Sequence, residues 1–274
     1  MVKIIAEVGK NFIDVEWEET PEQILVKAMM LVTRAKLAGA DTVKFQTHVF
    51  EDEQHKRDPS RYEWIKRNER ATPIEFWEII SKFTKENGLN FLTTPMSKMA
   101  AEKVNHLVDE WKIGSADIVD KDLLEYIAST NKPIIISSGM STLQQVLDAV
   151  YYLDGKGCSV SILHCVSIYP CPLNKLNLNT ITYLKRILPH HRIGFSDHSL
   201  SSFAPAMAVA MGAEIIEKHF TFDRKAFGPD HKASLLPREF KGMVQNIHMV
   251  TEMLGAEDKL LLDEEVEYWE KFRK

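Results

Sequence analysis

Short apolar segments bounded by turn residues alternate along the chain with longer amphipathic ones, the pattern of βα units around a parallel sheet. Eight strands are predicted: KIIAEV from Lys3, DTVKFQ from Asp41, LNFLTT from Leu89, WKIGS from Trp111, KPIIISS from Lys132, CSVSILHC from Cys158, RIGFS from Arg192 and EIIEKHF from Glu214. They are rich in Val, Ile and Phe without strict alternation, as expected of strands covered on both faces. Helical patterns run between them. The clearest is PEQILVKAMMLVTRAKLAG, where Thr20 caps the start, Pro21 takes the first helical position and Gly39 follows the end. Eight evenly spaced repeats with no strand-rich block favour closure, so the predicted fold class is α/β, a TIM (β/α)8 barrel rather than an open doubly wound sheet.

The barrel is expected to occupy residues 1–256. Residues 257–274 carry strong charge with apolar residues at helical spacing, predicting a C-terminal helical tail that either packs outside the barrel or makes a dimer contact. The polar stretch from Thr47 to Arg70 reads as a mobile loop after the second strand, either a lid or a solvated excursion.

A length of 274 residues with 45% hydrophobic and 27% charged positions fits one globular domain with a large core. A net charge of -5 argues against general affinity for nucleic acid or acidic membranes, so an anionic substrate needs a locally basic pocket. No apolar run approaches the roughly 20 residues of a membrane span, and the first residues do not form a secretory signal. Together with three cysteines (Cys158, Cys165 and Cys171) in no metal-ligand spacing, this predicts a reducing, cytoplasmic setting.

Reactive groups of such barrels come from the carboxyl ends of the strands. Those ends are polar throughout: Glu7; Lys44 and Gln46; Thr93 and Thr94; Lys112 and Ser115; Ser137 and Ser138; His164, Ser167 and Tyr169; Ser196, Asp197 and His198; Glu217, Lys218 and His219. Lys44 and Lys112 with the hydroxyls of Thr94, Ser115, Ser138 and Ser196 make a candidate phosphate seat; the alternative is lysines paired with carboxylates. His198 and His219 close neighbouring strands and can converge on one divalent ion, with Glu7 across the closure. Two imidazoles completed by water or substrate oxygens suit Mn²⁺ or Mg²⁺, which would polarise a carbonyl. Asp230, in the turn-rich FGPDHKAS, reads as a sugar-hydroxyl acceptor or a loop cap. His48, His55, His106, His190, His191 and His248 fall outside the cup and read as surface residues or bystanders.

The ordered motifs IAEVG, VKFQTH, TTP, KIGSAD, SSGM, LHCVSIYP, GFSDHS, EKHFT and GPDHKAS resemble those of the sialic acid synthase family from Lys3 to about Gly255. The resemblance implies a transferase of nonulosonic acid biosynthesis that condenses phosphoenolpyruvate with an N-acetylmannosamine-type hexosamine aldehyde and releases phosphate. It implies a manganese- or magnesium-dependent homodimer. It assigns Lys44, Thr94, Lys112, Ser115, Ser138 and Ser196 to phosphoenolpyruvate, His198 and His219 to the metal, and Glu7, Gln46, Tyr169 and Asp230 to the acceptor and the reacting carbonyl. Glu217 becomes a carboxylate beside the metal.

Three positions depart from the family pattern. GKNF places Phe12 where many members have histidine; Ala116 and Asp117 replace Gly-Glu, keeping a shortened carboxylate that is assigned a catalytic role; Ser167 replaces an asparagine that contacts the acetamido sugar in some members. Family members commonly continue into an antifreeze-like domain, before which this chain ends. Three rival readings stay open: a synthase that uses a phosphorylated aldose, for which Arg224, Lys225 and Lys232 offer a second basic seat; a Schiff-base aldolase using Lys112 or Lys44; and a non-catalytic barrel.

Overall fold

A computed structural model of the chain describes residues 2–13 and 19–273. The eight predicted strands are present as β1 (Lys3–Gly9), β2 (Thr42–Thr47), β3 (Asn90–Pro95), β4 (Trp111–Ile113), β5 (Ile134–Ser137), β6 (Val160–Cys165), β7 (Arg192–Asp197) and β8 (Ile215–His219). Parallel ladders run in the order β3-β2-β1-β8-β7-β6-β5-β4, and β3 lies against β4, so the sheet curls into a (β/α)8 barrel. The helix Pro21–Leu37 begins as its sequence dictates: Pro21 presets φ, and Thr20 and Gln23 form a reciprocal capping box.

Alternation along each strand sorts side chains between two environments. Outward residues such as Ile4, Ala6, Val43, Phe45, Ile134, Ile136, Ile193 and Phe195 belong to the large core shared with the helices. Inward residues Ile5, Leu92, Ile135, Leu163 and Ile215 form a separate, fully buried cluster that plugs the lumen. Each such aliphatic group contributes about 1.5–3 kcal/mol on burial. The plug sets the floor of the cup, because the next inward residue toward the carboxyl end is polar: Glu7 follows Ile5, Thr94 follows Leu92, Ser137 follows Ile135 and Glu217 follows Ile215.

Two expectations need correcting. The Thr47–Arg70 stretch is not an irregular loop: it holds the short helix Phe50–Glu53, a 3-10 turn at Pro59–Arg61 and the helix Tyr62–Ala71. Its anchor is Glu53, fully buried, which accepts from the Val49 backbone N–H and meets His48 Nδ1 at 3.0 Å. His48 is therefore a buried structural partner and no surface bystander. The tail forms the expected helix, Asp263–Phe272, none of whose residues is buried; Lys274 lies outside the described residues.

Candidate active site

Register builds the site from neighbours. Glu7 on β1 is flanked by Lys44 on β2 and His219 on β8, while Ser196 on β7 is flanked by Glu217 on β8 and Cys165 on β6. All face inward above the lumen plug and line a cavity of about 380 Å³ with Gln46, Thr94, Lys112, Ser115, Asp117, Ser167, Tyr169, His198 and Asp230. Ser138 does not join them. Its hydroxyl accepts from the Cys165 backbone N–H at 3.2 Å, and the inward Ser137 takes its place. The same parity sends Thr93, His164, Asp197 and Lys218 outward. His164 Nε2 meets Leu176 O at 2.7 Å, and Lys218 Nζ donates to Asp197 at 2.5 Å in a fully buried pair.

Glu217 lies between the lysines. It accepts from Ser196 Oγ at 3.0 Å and stands 3.7 Å from Lys44 Nζ and 3.9 Å from Lys112 Nζ. Burial opposes its charge, but the two ammonium groups win and hold its carboxyl at about 2. Lys44 also donates to Thr94 Oγ1 at 2.7 Å and pairs with Glu7 at 2.7 Å. Lys112 has Ser137 Oγ at 2.6 Å and the Ile113 carbonyl at 3.1 Å. Burial lowers the Lys112 pKa despite Glu217, the mark of an ammonium group short of negative charge. Burial pushes Glu7 the other way, up to about 7, even with Lys44 and the Gln46 amide (3.0 Å) favouring its anion. With Glu7 half ionised near neutrality, the two ammonium groups outweigh the two carboxylates.

The imidazoles form a second focus. His198 and His219 have ring centroids 5.4 Å apart, and Tyr169 stacks on His198 at 4.0 Å. His198 Nδ1 bonds the Val166 carbonyl at 2.8 Å, which leaves Nε2 as its free lone pair. His219 Nδ1 and Asp230 Oδ2 are buried without a hydrogen-bond partner. Burial drives His219 down to about 3, keeping the ring neutral as a metal ligand must be. With metal–nitrogen bonds of about 2.1 Å, two rings on one ion keep their centroids within roughly 6.5 Å, so this pair fits a shared cation completed by non-protein oxygens. Among the described residues no three of His, Cys, Asp and Glu converge as a closed metal site.

Two glycines admit this crowding. A Cβ at Gly9 (φ +56°) would press on Glu7, Gln46 and Asp230 at 3.1–3.3 Å, and one at Gly139 would meet Ser167 Oγ at 2.3 Å and Ser115 Oγ at 2.7 Å. Sequence reasoning passed over Lys10, which is buried at the cavity and lies 5.5 Å from the Trp64 ring centre. Its position one residue beyond the first strand's glycine was the available signal. Phe12, the departure in that motif, faces away: its ring packs 5.3 Å from Phe76 and 5.5 Å from Phe45. Asp117 is placed at the cavity but is held by Arg57, and burial lifts its carboxyl to about 6 against that guanidinium.

A barrel whose mouth gathers two buried lysines, two carboxylates and a close pair of imidazoles belongs to the synthase class of (β/α)8 enzymes. The chain is a member of the NeuB family, whose model matches residues 31–259. It is 34% identical over 284 residues to N,N'-diacetyllegionaminic acid synthase of Legionella pneumophila, covering 96% of this chain and 76% of that one. It is 32% identical to the human N-acetylneuraminate-9-phosphate synthase, covering 99% and 76%. The crystal structure of the sialic acid synthetase from Leptospira borgpetersenii in complex with citrate superposes with a TM-score of 0.88 at 30% identity, covering 100% of this chain and 93% of that one.

Proposed function

We propose that the protein condenses phosphoenolpyruvate with an N-acetylmannosamine-type hexosamine aldehyde to give a sialic-acid-like nonulosonic acid. C3 of the enol phosphate bonds to the aldehyde carbon, water adds at C2, and the C2–O bond to phosphate breaks. The observation that carries this reading is Lys112. It is a buried ammonium group whose nearest carboxylate stands 3.9 Å away, beside Lys44 and the hydroxyls of Ser137, Thr94 and Ser196. A phosphoester's oxygens supply the charge that Lys112 lacks.

Glu7, balanced near neutrality, orients the attacking water and accepts its proton, a role worth roughly 10²–10⁴-fold. Tyr169, Gln46, Asp230 and Ser167 also line the cavity and offer partners to the sugar's polar groups. His198 and His219 would hold Mn²⁺ or Mg²⁺, which when bound supplies Lewis-acid polarisation of the aldehyde oxygen. The protein is read as a cytoplasmic homodimer; no described helix is long and apolar enough to cross a membrane.

Phosphate release from phosphoenolpyruvate, measured with a panel of N-acetylated aldoses, tests this directly. Release is expected only with an aldose present, to vanish on chelation and to return with Mn²⁺. Lys112→Ala should raise the KM for phosphoenolpyruvate at least tenfold. A His198→Ala enzyme with full metal-dependent turnover, or release without any aldose, would sink the assignment.

A further inference from the structure

The Pro21–Leu37 helix turns one face to the barrel through Ile24, Ala28, Leu31, Val32 and Ala35. A helix on the outside of a barrel needs no second apolar face, yet this one has it. Val26, Met30 and Leu37 are 54%, 47% and 64% exposed, and with Met29, Thr33 and Arg34 they line a shallow outer groove of about 400 Å³. Single exposed apolar residues are ordinary, but these recur every three or four positions and so form one continuous stripe.

The Asp263–Phe272 helix carries a matching stripe. Leu262, Val266, Trp269 and Phe272 recur at the same intervals, and Leu262, Trp269 and Phe272 are 57%, 47% and 73% exposed. At about 1.5 Å per residue the stripes from Val26 to Leu37 and from Leu262 to Phe272 are roughly 16 and 15 Å long, so one covers the other end to end. Within a single chain they stay apart, and both face water.

Charge sets the direction of pairing. The tail helix is acidic in its first turn (Asp263, Glu264 and Glu265) and has Lys271 in its last, whereas the Pro21–Leu37 helix has Glu22 in its first turn and Arg34 with Lys36 in its last. Laid antiparallel, three carboxylates meet two cations at one end, Lys271 meets Glu22 at the other, and the helix dipoles oppose; laid parallel, like charges meet at both ends. We infer that the tail helix of one copy seats antiparallel on the outer stripe of the Pro21–Leu37 helix of a second copy, and the second copy's tail on the first; this rests on the homodimer read above and names its interface. Every chain carries both halves, so a twofold axis makes the contact twice, covers both stripes and closes at two chains.

Sedimentation equilibrium of the full chain tests this, with phosphate release as a separate readout of the reaction. The wild type is expected to be dimeric at about 10 μM. Met30→Asp and Trp269→Asp should each raise the dimer Kd at least ~30-fold, because each removes an apolar anchor from both contacts, while Met30→Leu should dimerise like the wild type. Both positions are exposed, so the variants should fold. Mixed together, the two aspartate variants should bind each other more tightly than either binds itself, since one intact stripe then meets one intact tail. A dimer that survives either aspartate substitution, or a mixture no tighter than its components, overturns this interface and leaves the homodimer standing. A monomeric wild type overturns both, and neither result touches the condensation.

Discussion

At the scale of single residues, Glu7 is the group whose behaviour depends most on its surroundings. A carboxyl half-protonated near pH 7 can serve as the base only in its ionised form, so kcat/KM should rise with pH through about 7. Glu7→Gln should lower it by roughly 10²–10⁴-fold and flatten that limb. The same shift sets stability. Below about pH 4.5 the carboxyl is protonated in both folded and unfolded chains. Between there and pH 7 the unfolded chain releases its proton while the folded one keeps it, so this group's contribution drains as pH rises. Relative to wild type, Glu7→Gln should therefore gain roughly 3 kcal/mol between pH 5 and pH 8 in denaturant titrations. A stability difference that does not change with pH would refute the buried, protonated Glu7. Residue-scale chemistry was only partly legible in the sequence. Polar strand ends mark the cup, but inward and outward positions differ by a single residue, and neither letter of Ser137-Ser138 says which one faces the lumen. Glu217 and His219 are easier to read because each sits two residues from an inward aliphatic or charged neighbour of the same strand.

Among the elements, the segment after β2 shows what pattern reading misses. Its polarity predicts solvent, yet its charges satisfy one another inside: His48 meets Glu53, Arg57 reaches Glu53 at 3.9 Å, bonds the Met96 carbonyl at 3.1 Å and pairs with Asp117 beyond β4. This chain of partners pins the segment across the mouth of β3 and β4. Its partners come from residues 48, 53, 57, 96 and 117, a spread no local window contains. Arg57→Leu would strand the buried carboxylate of Asp117 and should cost about 3–5 kcal/mol at pH 7. The loss should be smaller at pH 5, because Asp117, already lifted to about 6 with Arg57 present, is protonated there and no longer a buried charge. A variant equally destabilised at both pH values, or not destabilised, would show that the segment is not held by this network. The strands and the Pro21–Leu37 helix were legible because their signals are local: apolar runs, an N1 proline and a capping box.

For the whole molecule, eight repeats were enough to predict closure, because parallel strands covered on both faces leave a barrel as the arrangement without edges. What repeats could not predict is how charge is distributed over the closed form. Cationic groups around the mouth occupy two depths: Lys44 and Lys112 are 2% exposed at the floor, whereas Arg61, Lys225 and Lys232 stand exposed at the rim. Salt separates these layers. The Debye length falls from about 10 Å at 0.1 M to about 3 Å at 1 M, and buried pairs are screened much less than exposed ones. Raising NaCl from about 0.05 to about 0.5 M should therefore change the KM of phosphoenolpyruvate, seated at the floor, by less than about twofold. Steady-state kinetics at a saturating aldose concentration measures it. A several-fold rise in that constant would place the phosphate at the rim, among the exposed cations.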